Sequence, residues 1–220
     1  MTSTPGSAAR TGATMPRPAD TSGRVPRFTP AERWIHRVTG ALMLVCLVTA
    51  ACLYYPPLSE LVGRRRLVVT VHEWCGLALP VPVLLGLASR AFRADLSRLN
   101  RFAPYDREWL RAVRRRSYRR PAGKFNAGQK LYASWTAGAV LVMIGTGLLM
   151  WFTHLAPLVW RTGATFVHDW LTLALAVVIV GHIRMAMNDP ESRRGLRTGS
   201  VDETWAAREH PNWEPYRDSE

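Results

Sequence analysis

The sequence predicts an all-α protein, an integral membrane four-helix bundle with both termini in the cytoplasm. Three observations support this fold class: four apolar segments, a concentration of arginine between two of them, and histidines near the segment ends. A membrane-spanning helix needs about 20 predominantly apolar residues. The segments that meet this condition cover residues 36–55, 67–89, 130–152 and 165–187.

The first two segments carry local signals for their ends and shape. Tyr54 and Tyr55 lie at the far end of the first segment, where aromatic side chains favour the membrane interface. The adjoining Pro56 ends that helix because proline has no backbone N–H to donate. In the second segment, Pro80 and Pro82 predict a kink, which membrane helices tolerate when neighbours satisfy the freed carbonyls.

The last two segments are suited to close packing and to full crossing of the bilayer. The third contains Gly138, Gly145 and Gly147, and small residues let helices or a flat ligand approach closely. The fourth runs from Thr165 to Met187 and would extend ~35 Å as a helix at ~1.5 Å per residue. It can therefore cross a bilayer with some tilt.

The formal net charge of +13 is distributed unevenly along the chain. Residues 90–124 hold eleven arginines and one lysine against three acidic residues. Short basic loops remain in the cytoplasm, and an even number of spans leaves both termini on that side of a bacterial inner membrane. Because the cytoplasmic leaflet is anionic, it accounts for the basic excess without a nucleic-acid partner.

Composition divides the chain into three parts. Residues 1–30 are rich in Pro, Ser, Thr, Gly, Ala and Arg without periodicity, which predicts a disordered arm. Residues 31–190 form the membrane domain, and residues 191–220 form a cytoplasmic tail. We expect the tail to pack as a short helix against the inner face or a soluble subunit, with a solvated tail as the alternative.

The fourth segment carries two histidines on one side of its helix. His168 and His182 are fourteen positions apart, about 21 Å of rise and just under four turns. Ionisable groups inside a membrane span are costly and call for a functional explanation. The segment therefore offers two stacked ligand positions near opposite membrane faces.

A partial internal repeat adds a histidine on another helix. Val71-His72-Glu73-Trp74 matches Val167-His168-Asp169-Trp170, and both copies lie where the chain enters the membrane from outside. First-turn acids and interfacial tryptophans are common in membrane helices. That interpretation explains Glu73, Asp169 and the tryptophans, but it leaves the matched histidines unexplained.

The predicted depths of four histidines in the membrane group them into two pairs. His72 and His168 lie near the outer face, whereas His36 and His182 lie near the inner face. Two pairs at two depths are what two stacked haems need, each iron held axially by two imidazoles, an arrangement suited to electron transfer. Gly40, Gly76 and Gly181 follow or adjoin these histidines and leave room for a porphyrin edge.

Other candidate residues are left outside this site. His154 has no partner at its depth, and His210 lies in the tail. Without CxxC or CxxCH motifs, the cysteines are expected to be small buried apolar residues; they are Cys46, Cys52 and Cys75. The basic triplet of residues 64–66 lies in an outer loop, where it either faces haem propionates or an acidic subunit, or is a tolerated exception; both interpretations stay open.

Several motifs resemble the gamma subunit of respiratory formate dehydrogenase, a four-helix dihaem cytochrome b related to cytochrome b subunits of nickel-iron hydrogenases. The resemblance covers about residues 28–216. It rests on the sequence KFNAGQK from Lys124 to Lys130, on the spacing of His168 and His182 within Gly181-His182-Ile183, and on the tail from Gly199 to Trp213.

The resemblance implies two b haems and a quinone site. His72 with His168 would be the axial ligands of the outer haem iron, and His36 with His182 those of the inner one. A menaquinone would bind beside the inner haem at Asn126, Gly128 and Gln129, with Lys130 as a neighbour. From the residues alone, this stretch predicts a helix start, with Asn126 as the cap and Lys130 as a snorkelling anchor.

The resemblance also implies partners and a direction of electron flow. An iron–sulfur subunit would pass electrons from a catalytic subunit to the outer haem, and the inner haem would reduce the quinone with protons from the cytoplasm. The chain would be an electron-transfer subunit that carries out no primary dehydrogenase chemistry. The alternatives are a cytochrome b subunit of a hydrogenase or another oxidoreductase, a haem-free membrane anchor, and a transporter or proton channel with histidine relays.

Overall fold

The computed structural model describes residues 23–118, 120–154 and 156–214 of the chain. These residues form ten helices and two short strands. In chain order they are β1 (Arg24–Pro26), α1 (Pro30–Tyr54), α2 (Pro56–Val62), α3 (Arg65–Ala78), α4 (Val81–Gly86), α5 (Arg90–Leu99), α6 (Pro104–Arg114), α7 (Ala127–Trp151), α8 (Leu158–Met187), α9 (Pro190–Thr198), β2 (Ser200–Asp202) and α10 (Glu203–Glu209).

Four helical segments are long and apolar enough to cross a membrane, as the sequence predicts. They are α1, the continuous stretch Arg65–Gly86 that joins α3 to α4, α7 and α8. The helices α1 and α8 begin about one to two turns earlier than the apolar runs. For α1 the reason is a capping box, in which Thr29 accepts from Glu32 N and the Glu32 carboxylate accepts from Thr29 N.

The kink in the second span lies where the two prolines predict it. The helix α3 ends at Ala78, and α4 starts again at Val81 with Pro82 in its first turn. Neither proline can donate a backbone hydrogen bond, so the regular ladder is interrupted between the two helices. Leu84 N still donates to Pro80 O at 2.9 Å, which lets the span continue beyond the break.

The four spans pack as two antiparallel helix pairs. The helix α1 packs mainly on α3, and α7 packs mainly on α8, while α1 also contacts α8 and α3 contacts α7. Met43 on α1, Leu79 at the break between α3 and α4, and Ile179 on α8 form a buried hydrophobic cluster inside the bundle. Large apolar side chains on the outer surfaces of the spans, such as Val48 and Leu141, are exposed, as a lipid-facing surface requires.

Both ends of the described chain lie at one end of the bundle. The strand β1 pairs antiparallel with β2, with Val25 opposite Val201. A buried cluster beneath these strands contains Val25, Val201 and two tail tryptophans, Trp205 and Trp213. We call this part of the molecule the cap; it comprises β1, α5, α6, residues 120–126, α9, β2 and α10. We call the end of the bundle that carries the cap the capped end.

The cap corrects one boundary of the sequence analysis. The predicted disordered arm extends to residue 30, but Arg24–Pro26 form a strand and Thr29 caps α1. Arg27 N and Phe28 N both donate to Gly199 O, at 2.8 and 3.0 Å. The composition of the arm does not predict this pairing, because the partner of Val25 lies 176 residues later in the chain. Residues 1–22 lie outside the described residues.

Gly199 is required at the turn that brings the tail back to β1. It ends α9 with φ +98°, in the left-handed region that favours glycine. A Cβ atom at this position would also lie 2.7 Å from Phe28 O. The turn therefore needs glycine for both its backbone conformation and the close approach of β1.

Candidate functional site: two histidine pairs

The histidine pair at the capped end joins the first and fourth spans. The ring centroids of His36 on α1 and His182 on α8 are 6.2 Å apart, with an angle of 45° between the ring planes. The ring of Tyr132, in the second turn of α7, stacks on His182 at 4.6 Å and 13°. The start of α7 thus lies directly beside this pair.

The pair at the opposite end joins the second and fourth spans. The ring centroids of His72 on α3 and His168 on α8 are also 6.2 Å apart, with an interplanar angle of 65°. Both rings are half-buried. The structure therefore brings together the same two pairs that depth alone predicts from the sequence.

The two pairs lie at different depths in the bundle. His168 and His182 share α8, where fourteen positions correspond to ~21 Å of rise. The buried residues Met43, Leu79 and Ile179 lie between the pairs along their helices. The bundle thus contains two histidine sites separated by an apolar layer.

Threonine hydroxyl groups hydrogen-bond to both histidines of the opposite end. Thr49 Oγ1 lies 2.8 Å from His72 Nδ1, and Thr146 Oγ1 lies 2.9 Å from His168 Nδ1. Each hydroxyl also donates to the carbonyl four residues earlier in its own helix, at 2.7 Å for Thr49 and 2.8 Å for Thr146. These contacts leave the Nε2 atom of each ring for another partner.

The residues of both pairs fit a haem. Two metal–nitrogen bonds of about 2 Å and two ring radii of about 1 Å add up to about 6 Å, which agrees with the centroid separation of each pair. A Cβ atom added at Gly40, Gly76 or Gly181 would meet no other atom within 4 Å. The donor set is imidazole on both sides, as in electron-transfer haem proteins.

Among the described residues, no group of three or more His, Cys, Asp and Glu side chains could hold a metal ion. The three cysteines are half-buried free thiols in the spans.

The predicted quinone residues form the start of α7. Asn126 caps the helix, since its side chain accepts from Gln129 N at 2.9 Å and its own N–H donates to Gln129 Oε1 at 3.0 Å. A Cβ atom at Gly128 would come within 2.9 Å of the Trp109 ring, so Gly128 permits α6 to pack closely here. The capping role that the residues alone predict for Asn126 is confirmed.

Lys130 differs from its predicted role as a snorkelling anchor. Its side chain is only 4% exposed, and Nζ lies 2.6 Å from Asp106 Oδ2, whose side chain is fully buried. Lys130 Nζ also donates to Arg101 O at 2.9 Å. The long basic connection folds over the bundle end, so this lysine finds a buried carboxylate instead of the membrane surface.

A second buried ionic cluster joins the cap to α1. Lys124 Nζ lies 2.7 Å from Asp95 Oδ2 and 3.8 Å from Glu32 Oε1. Burial, together with the adjacent carboxyl group of Glu32, raises the pKa of Asp95 to about 7 despite its contact with Lys124.

His210, which the sequence analysis leaves in the tail, is buried in the cap. Its Nδ1 lies 2.7 Å from Gly123 O, and its Nε2 lies 3.1 Å from Arg27 Nη2. Burial and the neighbouring guanidinium lower the pKa of His210 to about 3. Burial likewise lowers the pKa of Arg27 to about 10. His210 therefore remains neutral and accepts from Arg27 as a structural contact.

Three residues of the histidine sites were not found from the sequence. Thr49 and Thr146 lie within apolar runs, where threonine usually bonds to its own helix. Tyr132 resembles an ordinary interfacial aromatic residue. The sequence signal for the threonines is their spacing, since each precedes its histidine by almost the same number of residues, 23 and 22.

Other predicted residues lie apart from the two pairs. His154 is exposed at the end of α7 and contacts the ring of Phe152 at 6.2 Å. The side chains of residues 64–66 are exposed at the end opposite the cap. The structure thus shows no contact between this triplet and either histidine pair among the described residues.

Comparisons with known proteins agree with this architecture. The family described as prokaryotic cytochrome b561 matches residues 27–196. The formate dehydrogenase cytochrome b556(fdo) subunit of Escherichia coli K12 is 26% identical over 200 residues, which cover 86% of this chain and 91% of that protein. The formate dehydrogenase cytochrome b556 subunit of Haemophilus influenzae is 26% identical over 202 residues, covering 86% and 82%.

A third relative matches over a shorter stretch. The nitrate-inducible formate dehydrogenase cytochrome b556(Fdn) subunit of Escherichia coli K12 is 31% identical over 101 residues, which cover 44% of this chain and 46% of that protein. The family match itself includes all four histidines of the two pairs. The chain belongs to the prokaryotic cytochrome b561 family.

Proposed function

We propose that this chain is the cytochrome b subunit of a respiratory formate dehydrogenase complex and holds two b haems, each between two histidines. The observation that carries the proposal is the pair of 6.2 Å separations, His36 to His182 and His72 to His168, at two depths of one bundle. Membership of a cytochrome b family implies haem b, and the names of the relatives support the complex.

His72 and His168 would hold one haem by Nε2, and His36 and His182 would hold the other. At the opposite end, Thr49 and Thr146 contact Nδ1 of His72 and His168. These contacts direct the Nε2 atom of each ring towards the other ring. When bound, the two haems supply one-electron transfer between the two membrane faces. Because each site offers two histidines, the protein would leave no open position on either iron for oxygen or substrate.

We further propose that the capped end faces the cytoplasm and carries the site for menaquinone. The stretch Asn126–Gln129 begins α7, and Tyr132 in the same helix stacks on His182. This places the predicted quinone residues on the element that adjoins the inner histidine pair. Nδ2 of Asn126 and Nε2 of Gln129 are the side-chain donors that the capping box leaves for a quinone carbonyl.

The partners follow from the same proposal. An iron–sulfur subunit would deliver electrons at the end of His72 and His168, and a separate catalytic subunit would oxidise the substrate. Two electrons and two protons reduce one menaquinone to menaquinol at the capped end, with protons taken from the aqueous side. This chain would then separate charge across the membrane without pumping protons.

Haem quantification in the purified full-length chain tests the proposal. We expect a reduced-minus-oxidised spectrum with b-type bands and two haems per chain by pyridine haemochrome. The variant His72→Ala should retain half of the haem, while the control His154→Ala should retain all of it. An absence of b-type bands would identify a haem-free anchor, and unchanged haem in His72→Ala would leave a relay role for the histidine.

A further inference from the structure

A hydroxyl group lies behind each histidine of the pair His72 and His168. The two contacts have closely similar lengths, 2.8 Å from Thr49 Oγ1 and 2.9 Å from Thr146 Oγ1, and both involve Nδ1. The residues come from two different helix pairs: α1 supplies Thr49 for α3, and α7 supplies Thr146 for α8. The site is therefore supported in the same way on both sides.

The internal repeat gives these contacts a common origin in the fold. The matching sequences Val71-His72-Glu73-Trp74 and Val167-His168-Asp169-Trp170 each lie in the second helix of a pair, six positions after the start of α3 and nine after the start of α8. The threonine of each pair lies on the preceding membrane span. Because sequence, helix order and hydrogen bond all recur, the two threonines occupy equivalent positions in two copies of one helix hairpin.

The hydrogen bonds determine which ring nitrogen carries the proton. A threonine hydroxyl has one proton, and in both residues it is used in the backbone bond to the carbonyl four residues earlier, Val45 O for Thr49 and Val142 O for Thr146. The hydroxyl oxygen therefore accepts from the imidazole, and Nδ1 carries the hydrogen. The lone pair then lies on Nε2, the nitrogen that a metal needs.

We propose that Thr49 and Thr146 are paired positioning residues, which fix the orientation and the Nδ1–H tautomer of His72 and His168 for ligation of the outer haem. This inference rests on the proposed haem function. Groups that accept from the distal N–H of a ligating histidine raise the basicity of the ligand, and their loss typically lowers metal affinity by about 10–100-fold. A more basic ligand favours the oxidised metal, so the threonines also lower the reduction potential of this site.

The pair at the capped end provides an internal comparison. Within residues 23–118, 120–154 and 156–214, neither His36 nor His182 receives a hydroxyl contact of this kind; His182 stacks on Tyr132 instead. A change at Thr49 or Thr146 should therefore alter one haem and leave the other as it was. Two separable redox transitions in one chain make this distinction measurable.

The test is a spectroscopic redox titration of the full-length protein in membranes. Thr49→Val and Thr146→Val remove the hydroxyl and keep the shape of the side chain, whereas Thr49→Ser restores an acceptor. The control is Thr162→Val, because Thr162 makes the same backbone bond to Leu158 O at 3.0 Å and is exposed near the start of α8, six positions before His168. The readouts are haem content per chain and the midpoint potential of each transition.

We expect both valine variants to raise the potential of the same haem and to weaken its retention by about 10–100-fold. Thr49→Ser and Thr162→Val should match the wild type. Unchanged potentials in both valine variants, or effects shared equally by the two haems, would overturn the proposal while leaving a dihaem protein. A wild-type chain without two haems would instead overturn the proposed function.

Discussion

The two histidine pairs have the same spacing but are built in different ways. The pair at the opposite end lies between two copies of one helix hairpin, and each histidine bonds to a threonine on the preceding span. The pair at the capped end has no such symmetry: His36 and His182 come from the first and last spans, and an aromatic ring of the third stacks on one of them.

The repeat explains why one pair is symmetric and the other is not. Moving fourteen positions on from His168 leads to His182, whereas the same step from His72 leads to Gly86. A Cβ atom at Gly86 would lie 2.5 Å from Ile35 Cδ1, so this position is used for close packing beside His36. The second histidine of the pair at the capped end therefore comes from α1.

The surroundings of the two pairs differ as well. The capped end is covered by segments from both ends of the chain and by two buried ionic clusters. The opposite end is bounded by the short helix α2 and by exposed residues 64–66. We infer that the stability of the cap determines the integrity of one histidine pair only.

The largest expected effect comes from breaking the buried ion pair of Lys130 and Asp106. Lys130→Met leaves Asp106 charged and fully buried, which should lower the free energy of unfolding by about 3–5 kcal/mol. Reversible unfolding in mixed micelles measures this loss of stability. We also expect the haem between His36 and His182 to be lost in part, and the haem between His72 and His168 to be retained.

The matched control for Lys130→Met is the double variant Lys130→Met with Asp106→Asn. It removes both charges, and the amide can still accept from Ala103 N, which bonds to Asp106 Oδ2 at 2.7 Å. We expect it to recover most of the lost stability. A single variant as stable as the wild type would show that the cap does not depend on this pair.

A smaller effect is expected at Arg27, which connects β1 to the tail. Its guanidinium lies over the rings of Trp205 and Phe28, at 4.9 and 5.2 Å, and donates to Lys124 O at 3.0 Å. Arg27→Leu should cost about 1.5–3 kcal/mol, because it removes hydrogen bonds from a charged donor. Hydrogen exchange of residues 199–214 should accelerate, and that of α3 should not.

Arg208→Gln is the control for Arg27→Leu within the same part of the molecule. The Arg208–Glu209 pair has side chains 71% and 51% exposed, and surface pairs contribute about 0–1 kcal/mol. Equal exchange rates in Arg27→Leu and Arg208→Gln would contradict a structural role for the buried arginine.

The smallest effect is a pH dependence that two buried groups almost cancel. The pKa of Asp95 is raised from 3.8 to about 7, so its contribution to stability falls as pH rises from about 4 to 7. The pKa of His210 is lowered from 6.5 to about 3, so its contribution falls as pH decreases from 6.5. Between about pH 4 and 6.5, the change in stability with pH that comes from Asp95 is therefore opposite in sign to the change that comes from His210.

Single variants should reveal the pH dependence of stability that each of these two groups contributes. With Asp95→Asn, the stability of the cap should rise with pH over this window, and with His210→Gln it should fall, each by at most about 1.4 kcal/mol per pH unit. Urea unfolding followed by the fluorescence of the tail tryptophans measures both. Identical slopes in the wild type and both variants would contradict the assignment.

The sequence predicts the bundle well because its signals are local. Apolar length identifies the four spans, prolines locate the break between α3 and α4, and histidine depth predicts which rings meet. These features depend on the period and length of a helix, which a single segment contains.

The cap and the threonine contacts depend on residues far apart in the chain. The pairing of Val25 with Val201 and the ion pair of Lys130 with Asp106 join segments that composition describes as an arm, a basic loop and a tail. The basic loop also folds into α5 and α6, whose buried Asp95 and Asp106 cannot be distinguished by composition from solvated acids.

The central claim, that the chain holds two haems between two separate histidine pairs, is tested most directly by redox titration of His36→Ala and His72→Ala beside the wild type. The account predicts two transitions in the wild type and one in each variant, with the two variants retaining different transitions. A single transition in the wild type, or the loss of the same transition in both variants, would contradict it.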